Sequence, residues 1–492
     1  MEHLDVLIVG AGISGIGAGY HLKDKCPGRT WAILERRDNI GGTWDLFKYP
    51  GIRSDSDMYT LGYAFKPWTN PKAIADGPSI LEYLKETAQE YGIDQRIRFG
   101  YHVKRASWSS AASRWTVEAE YKDGSVMKLT CNFLFMCSGY YNYDAGYTPE
   151  FEGTEDFRGR IVHPQKWTED IDYAGKQVVV IGSGATAVTL VPEMAKDAAH
   201  VTMLQRSPTY VVSRPGEDAM ASKLSGLLGQ RLASSLVRWR NILFGLYFFR
   251  VARKKPERVK KMILDMVRNE LPEHDVETHF TPRYNPWDQR MCLVPDGDLF
   301  TSLREGKASV VTDHIERFTP GGILLKSGKE IPADLIVTAT GLEMQLMSDL
   351  AITVDGRSVA PSSCLSYKAM MFSDIPNIAT SFGYTNASWT LKADLTCKYV
   401  CRLLNYMEEH GYTQCCPRVH GEDVETEPFI DFSSGYVQRA VERFPRQGTK
   451  APWKVYQNYL LDKVALGYAS VDDGVMEFSS PASITSSELE TA

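Results

Sequence analysis

The sequence predicts an α/β fold of the doubly wound type, built twice in one chain and interrupted by a helical insertion. Three observations predict it. Apolar strands end in glycine turns that open helices at two places, "DVLIVGAGISGIGAGYHL" (5–22) and "KQVVVIGSGATAV" (176–188). Strand and helix patterns alternate around both. Between about 215 and 280 the texture changes to a long cationic stretch containing "LVRWRNILFGLYFFRVARKKPERVKKMILDMVRNEL".

In chain order, "TWAILERR" gives a second apolar strand ending at Glu35, and "PSILEYLKETAQEY" (78–91) has helical spacing. "SRWTVEAEYKDGSVMKLTC" reads as a hairpin turning at Asp123-Gly124, and "NFLFMCSG" as a short buried strand stopping at Gly139. The second strand–turn–helix starts at Gln177, and "HVTMLQRSPT" supplies a strand ending near Arg206. "ADLIVTATG" repeats the pattern of an apolar strand closed by glycine, and the polar tail "SSPASITSSELETA" is expected to be disordered. With 492 residues the chain exceeds what one core serves. The expected division is 1–145 and 333–478 for the first domain, 146–215 and 281–332 for the second, 216–280 for the insertion and 479–492 for the tail.

Net charge −6 argues against a nucleic-acid partner. The nine cysteines include no Cys-x-x-Cys and no zinc-ligand spacing, so no metal is expected, and reduced thiols fit the cytoplasm. The chain opens directly on a strand, without the basic and apolar regions of a signal peptide. In the insertion, the apolar run Ile242–Phe249 is too short to span a bilayer. Flanked by Arg238, Arg240, Arg250, Arg253, Lys254 and Lys255, residues 238–261 could lie on an anionic membrane surface. The preferred reading is a helical cover over the active site with solvated cations. No pattern in the sequence sets an oligomeric state.

Gly10, Gly12 and Gly15 follow a strand and open a helix, the context in which such a turn cradles a pyrophosphate. The second copy is Gly182, Gly184 and Ala187. Counting 25 residues from Gly10 reaches Glu35, and counting 24 from Gly182 reaches Arg206, so the same position is expected to carry opposite charge in the two copies. A carboxylate accepts from ribose hydroxyls and repels a 2′-phosphate, whereas a guanidinium with the Ser207 hydroxyl binds one. Two Rossmann-like domains follow, the first for FAD and the second for NADPH, with hydride passing from NADPH to flavin. The glycine pair of "GGTW" (41–44) and the strand ends Ser138-Gly139 and Thr340-Gly341 are read as close passages of chain against cofactor.

What the flavin does next turns on "FRGRIVHPQKWT" (157–168), where Phe157, Gly159, His163 and Trp167 stand at fixed offsets. This pattern resembles the fingerprint of type I Baeyer–Villiger monooxygenases, although Thr168 stands where Pro or Asp usually follows the Trp. "GGTWDLFKYPGIRSDSDMY" (41–59) is similar to a second signature of that family. With "CSGYYNYD", "MLQRSPTY", "NPWDQRMCLVPDGDLF" and "GYTNASWTLKADL", nearly the whole chain resembles the ethionamide-activating subgroup.

The resemblance implies that Ser14, Glu35, Thr43, Trp44, Asp45, Leu46, Asp55 and Val103 contact FAD. It implies that Arg53, Ser54 and Asp55, the turn Gly182, Ser183, Gly184, Ala185, Thr186, Ala187 and Val188, and Arg206 with Ser207 contact NADP. The catalytic arginine maps onto Arg290, held by Asp55; Gln289 stands where many relatives carry Lys. His163 and Trp167 are assigned to coupling the domains. The implied activity is NADPH- and O2-dependent conversion of ketones to esters or lactones through a C4a-peroxyflavin, with sulfoxidation of thioethers and thioamides as a second activity. The alternative is a nitrogen- and sulfur-oxygenating flavin monooxygenase without useful ketone activity. A non-enzymatic NADPH-sensing flavoprotein is a further reading, disfavoured by Arg206 and Arg290.

Overall fold

The computed structural model describes residues 1–420 and 424–480. Strand β1 (Glu2–Val9) lies inside a nine-stranded sheet, parallel to β2 (Trp31–Glu35) with Val9 opposite Leu34. Val6, Leu7, Ile8 and Val9 are all buried, because a parallel strand covered on both faces needs a continuous apolar run rather than alternation. Beyond β2 comes β3 (Ile97–Phe99). On the other side β4 (Tyr101–Ser109), β5 (Arg114–Tyr121) and β6 (Val126–Met136) form an antiparallel meander that turns at Asp123-Gly124. The sequence separates a hairpin arm from a following short strand, but β6 is one strand of 11 residues. Its first half pairs with β5, and from Leu129 onward it pairs in parallel with β1. Where the hairpin leaves off, Ile378–Thr380 pairs with Leu134–Met136.

The second sheet is five-stranded and parallel. Its order is Ala308–Thr312, β9 (His200–Gln205), β8 (Gln177–Ile181), Leu335–Thr338 and β7 (Arg160–Val162). The boundary expected at 332/333 therefore needs correcting: "DLIVTATG" returns to the second sheet before the chain re-enters the first. Leu335–Thr338 is buried throughout and apolar up to its last residue, and such a strand suits either sheet equally. Of the tail expected at 479–492, Ser479 ends a strand Met476–Ser479 paired with Gln414–Pro417, and 481–492 lie outside the described residues.

The insertion is helical, as Ala219–Leu228, Gln230–Lys254, Pro256–Glu270 and Val276–Phe280. Gly229, at φ +77°, breaks the first two apart, and Pro256 stops the second at Lys255 by disfavouring helical backbone in the residue before it. Among the described residues no helix is long and apolar enough to cross a membrane. The six cations around the apolar run are not equivalent. Arg238 donates to the Tyr59 and Gly62 carbonyls at 2.8 and 2.7 Å, Arg240 pairs with Asp218, and Arg253 pairs with Asp288 at 2.7 Å. Arg250, Lys254 and Lys255 have no carboxylate partner among the described residues. All nine cysteines are free and buried.

Candidate active site

Both glycine turns are built alike. The Gly10 N–H donates to the Leu34 carbonyl and the Gly182 N–H to the Leu204 carbonyl, each at 2.8 Å. Their φ values are +104° and +138°, a backbone that only glycine adopts without strain. A Cβ on Gly10 would stand 2.6 Å from the Cys137 carbonyl oxygen, and one on Gly182 would stand 2.3 Å from that of Ala339. The strand ends before Ser138-Gly139 and Thr340-Gly341 thus pack directly on the turns. A side chain at Gly139 or Gly184 would meet nothing within 4 Å, so the space beside the turns is open to a ligand. "GGTW" lies across the first turn, with a Cβ on Gly42 only 3.1 Å from the Gly12 Cα.

This alignment corrects the expected charge contrast. Glu35 follows Leu34, and the residue following Leu204 is Gln205, not Arg206. Gln205 is buried and donates to the His279 carbonyl and the Thr312 hydroxyl. Arg206 matches Arg36, one residue on, so the two charged side chains leave their strands at successive positions. Glu35 is buried and receives the Ala11 and Arg37 N–H groups at 2.7 and 2.8 Å. Burial nevertheless raises its pKa, against the pull of those hydrogen bonds.

A cavity of about 550 Å³ lies between the turns, within the usual range for small-molecule sites. Of the expected residues it is lined by Gly10, Gly12, Ser14, Glu35, Thr43, Trp44, Arg53, Ser54, Asp55, Val103, Ser183, Gly184, Ala185, Thr186, Arg206 and Arg290. Gly15, Asp45, Leu46, Gly182, Ala187 and Val188 stand behind the wall, and Ser207 is exposed outside it, its carbonyl accepting from the Ser183 hydroxyl at 3.0 Å. Asp45 is buried in an ion pair with Arg37 at 2.7 Å, and Arg53 is paired with Asp298. Ser14 accepts from the Trp389 indole N–H at 2.8 Å.

Arg290 meets Asp55 at 3.0 Å, and both face the cavity. The Asp55 charge raises the Arg290 pKa above its already high value, outweighing burial. Tyr140, Tyr141 and Tyr436 surround the guanidinium; the hydroxyls of Tyr140 and Tyr141 are 2.8 Å apart, and burial raises the pKa of all three. The result is a cation held by one carboxylate, partly open to the cavity, with neutral hydroxyls beside it. Cys292 adjoins the pair, its thiol pushed up to about 12 by burial.

His163 and Trp167 do not line this cavity. The His163 Nδ1 accepts from the Gln165 N–H at 3.2 Å, and Nε2 lies 3.2 Å from the Gly341 carbonyl, which fixes the neutral tautomer with Nε2 donating. Burial lowers its pKa. A Cβ on Gly146 would stand 2.0 Å from the ring. Phe157 packs near Phe318, and Trp167 meets Tyr173 edge-on. A side chain on Gly159 would collide with the Asp334 carbonyl at 2.3 Å.

A model of the flavin-binding monooxygenase-like family matches residues 67–345, and one of an NAD(P)-binding Rossmann-like domain matches 8–71. The chain is 56% identical to the FAD-containing monooxygenase EthA of Mycobacterium tuberculosis, over 97% of this chain and 98% of that one. It is 50% identical to a probable FAD-binding monooxygenase AlmA of Acinetobacter baylyi, over 97% and 96%. The chain belongs to the flavin-binding monooxygenase-like family. Its fold is also that of a steroid monooxygenase bound to NADP (TM-score 0.74, 21% identity, 97% and 99% covered). An open cyclohexanone monooxygenase is equally similar (0.75, 19%, 98% and 100%).

Several cavity residues of this flavin-binding monooxygenase escaped the sequence. Tyr436 and Arg439 come from a C-terminal stretch without periodicity, and Tyr140 and Tyr141 from a loop. Arg439 lies over the Tyr147 ring at 3.5 Å, and its pKa is lowered first by burial, with Arg206 contributing. Two guanidiniums therefore face one cavity from different parts of the chain. Only the dipeptide "YY" beside a strand-ending glycine hinted at the tyrosines.

Proposed function

We propose that this monooxygenase holds FAD along the first turn and NADPH along the second, and uses O2 to convert a ketone into an ester or lactone. The reduced flavin supplies the activated oxygen. The chain does the rest. Glu35, its carboxylate already oriented by two backbone N–H groups, keeps lone pairs for ribose hydroxyls. The helices starting at Ile13 and Ala185 present free N–H groups toward pyrophosphates. Arg206, assisted by Arg439, offers positive charge to a 2′-phosphate. Arg290 stabilises the negative charge that develops on the carbonyl oxygen under attack, and Asp55 fixes its position. The observation that supports this reading is that pair, beside three tyrosines in the cavity that both glycine turns line.

The test is purified protein with NADPH, air and a panel of ketones and thioethers, products read by mass spectrometry. Esters or lactones heavier by one oxygen are expected. Arg290→Ala is expected to keep the yellow cofactor and its reduction by NADPH while losing about 100-fold or more in ester formation. Esters formed at the normal rate would remove the assigned role. Sulfoxides without any ester would favour the nitrogen- and sulfur-oxygenating reading.

A further inference from the structure

A second cavity, of about 1300 Å³, is lined by Asp55, Cys292 and Leu293, which also line the first, and extends beneath the inserted helices. Its apolar walls include Ile242, Phe244, Phe248, Met262, Met266 and Trp287. Phe244 and Met262 are 50% and 53% exposed, large apolar side chains left facing an open space. Asn241 donates to Asp57 beside the Asp55 end, and Lys254 lies thirteen residues further along the same helix, about 20 Å away. Such a trough is longer than a small cyclic ketone requires.

Its rim carries Arg250, Lys254, Lys255 and Arg258, all exposed and none with a carboxylate partner among the described residues. Arg250 and Lys254 stand four apart on one helix, where like charges repel. The acids of the same cavity are mostly engaged: Asp55 with Arg290, Asp57 with Thr60 and Asn241, and Asp218 with Arg240; Glu217 is the exception. A neutral ligand would fill the apolar wall and leave the four cations repelling one another.

We propose that this cavity is the substrate site and that it selects an anionic amphiphile. The ligand is an apolar chain ending in a carboxylate, with the chain on Phe244, Phe248 and Met262 and the carboxylate on Arg250, Lys254 and Arg258. Its ketone carbonyl points toward Arg290. The inference rests on the proposed ketone oxygenation and names its substrate class. Isothermal titration of the flavin-loaded protein with dodecanoate and methyl dodecanoate tests it. Dodecanoate is expected to bind at least tenfold tighter. In the triple variant Arg250→Glu, Lys254→Glu, Arg258→Glu that preference disappears, while methyl dodecanoate binds as before and NADPH still reduces the flavin. Phe244→Asp weakens both ligands.

Equal affinities in the unmodified protein, or a preference that survives charge reversal, overturn the proposal. It falls as well if dodecanoate does not bind and the triple variant instead loses co-sedimentation with phosphatidylserine vesicles. Binding needs no turnover, so the two readings fail separately. The expected binding pattern in a protein that makes ester from no ketone removes the activity and keeps the cavity. Faster oxygenation of methyl 11-oxododecanoate than of the free acid removes the cavity assignment and keeps the activity.

Discussion

Arg206 and Arg439 approach one cavity, and neither has an ion-pair partner among the described residues. A phosphate between them would relieve their repulsion. Arg439→Ala is therefore expected to weaken NADP+ binding about tenfold and to leave NAD+ binding unchanged, as measured by fluorescence titration; equal losses for both nucleotides would move Arg439 away from the 2′-phosphate. At this scale the sequence is legible where a side chain's job depends on its neighbours in the chain. Asp55 and Arg290 were found through motifs and do meet, at 3.0 Å. Counting failed for Arg206 by one residue, because the second turn reaches its partner strand after fewer residues than the first, and no side-chain pattern marks that difference.

Among the elements, the segment 157–167 carries β7 of the second sheet and touches both the neighbouring strand of that sheet and the loop that leaves the first. His163 reaches the Gly341 carbonyl just beyond the strand Leu335–Thr338, and Gln165 donates to the Asn142 carbonyl at 2.7 Å. Because burial lowers the His163 pKa, the ring is neutral above the ordinary histidine value near 6.5 and charges as pH falls through the lower folded value. Nδ1 then gains a proton and can no longer accept from the Gln165 N–H, while Nε2 still donates to the Gly341 carbonyl. Flavin reduction by NADPH, followed in stopped flow, should slow on that acid limb, and His163→Ala should be slow at every pH without the limb. A second tie joins the helices Trp389–Glu409 and Tyr459–Gly467: Lys392 and Asp462, both buried, meet at 2.9 Å, with the Tyr384 hydroxyl donating to Asp462 at 2.7 Å. Asp462→Ala strands an ammonium group and should destabilise the fold by about 3–5 kcal/mol in urea titration. Helices and parallel strands of this kind follow from apolar period alone. That β6 runs on unbroken from a hairpin into a parallel pairing does not, because the change of partner leaves no mark in its composition.

For the whole molecule, the double architecture was readable because each glycine turn is a local event, whereas the assignment of Leu335–Thr338 to the second sheet depends on contacts far away in the chain. The C-terminal region was least legible: Phe429, Phe432 and Phe444 bury themselves around Phe382 without regular spacing, and Tyr436 and Arg439 ride on that packing into the cavity. A nucleotide held by Arg206 and Arg439 would join distant parts of the chain, so NADP+ at 100 times its Kd should stabilise the protein by about 2.7 kcal/mol, read as a thermal shift that NAD+ at equal concentration does not match.

The burial of all nine cysteines has its own consequence. A catalyst that activates O2 releases hydrogen peroxide whenever the oxygen goes undelivered, and ionised sulfur within reach of water is what that oxidant attacks first. Burial pushes Cys131, Cys137, Cys364, Cys415 and Cys416 well away from ionisation; Cys26, hydrogen-bonded with Cys401 and near Arg29, moves the other way but stays covered. A colorimetric thiol reagent should find almost nothing in the native protein and all nine groups after denaturation. The molecule stores its sulfur out of range of the corrosive waste of its own chemistry.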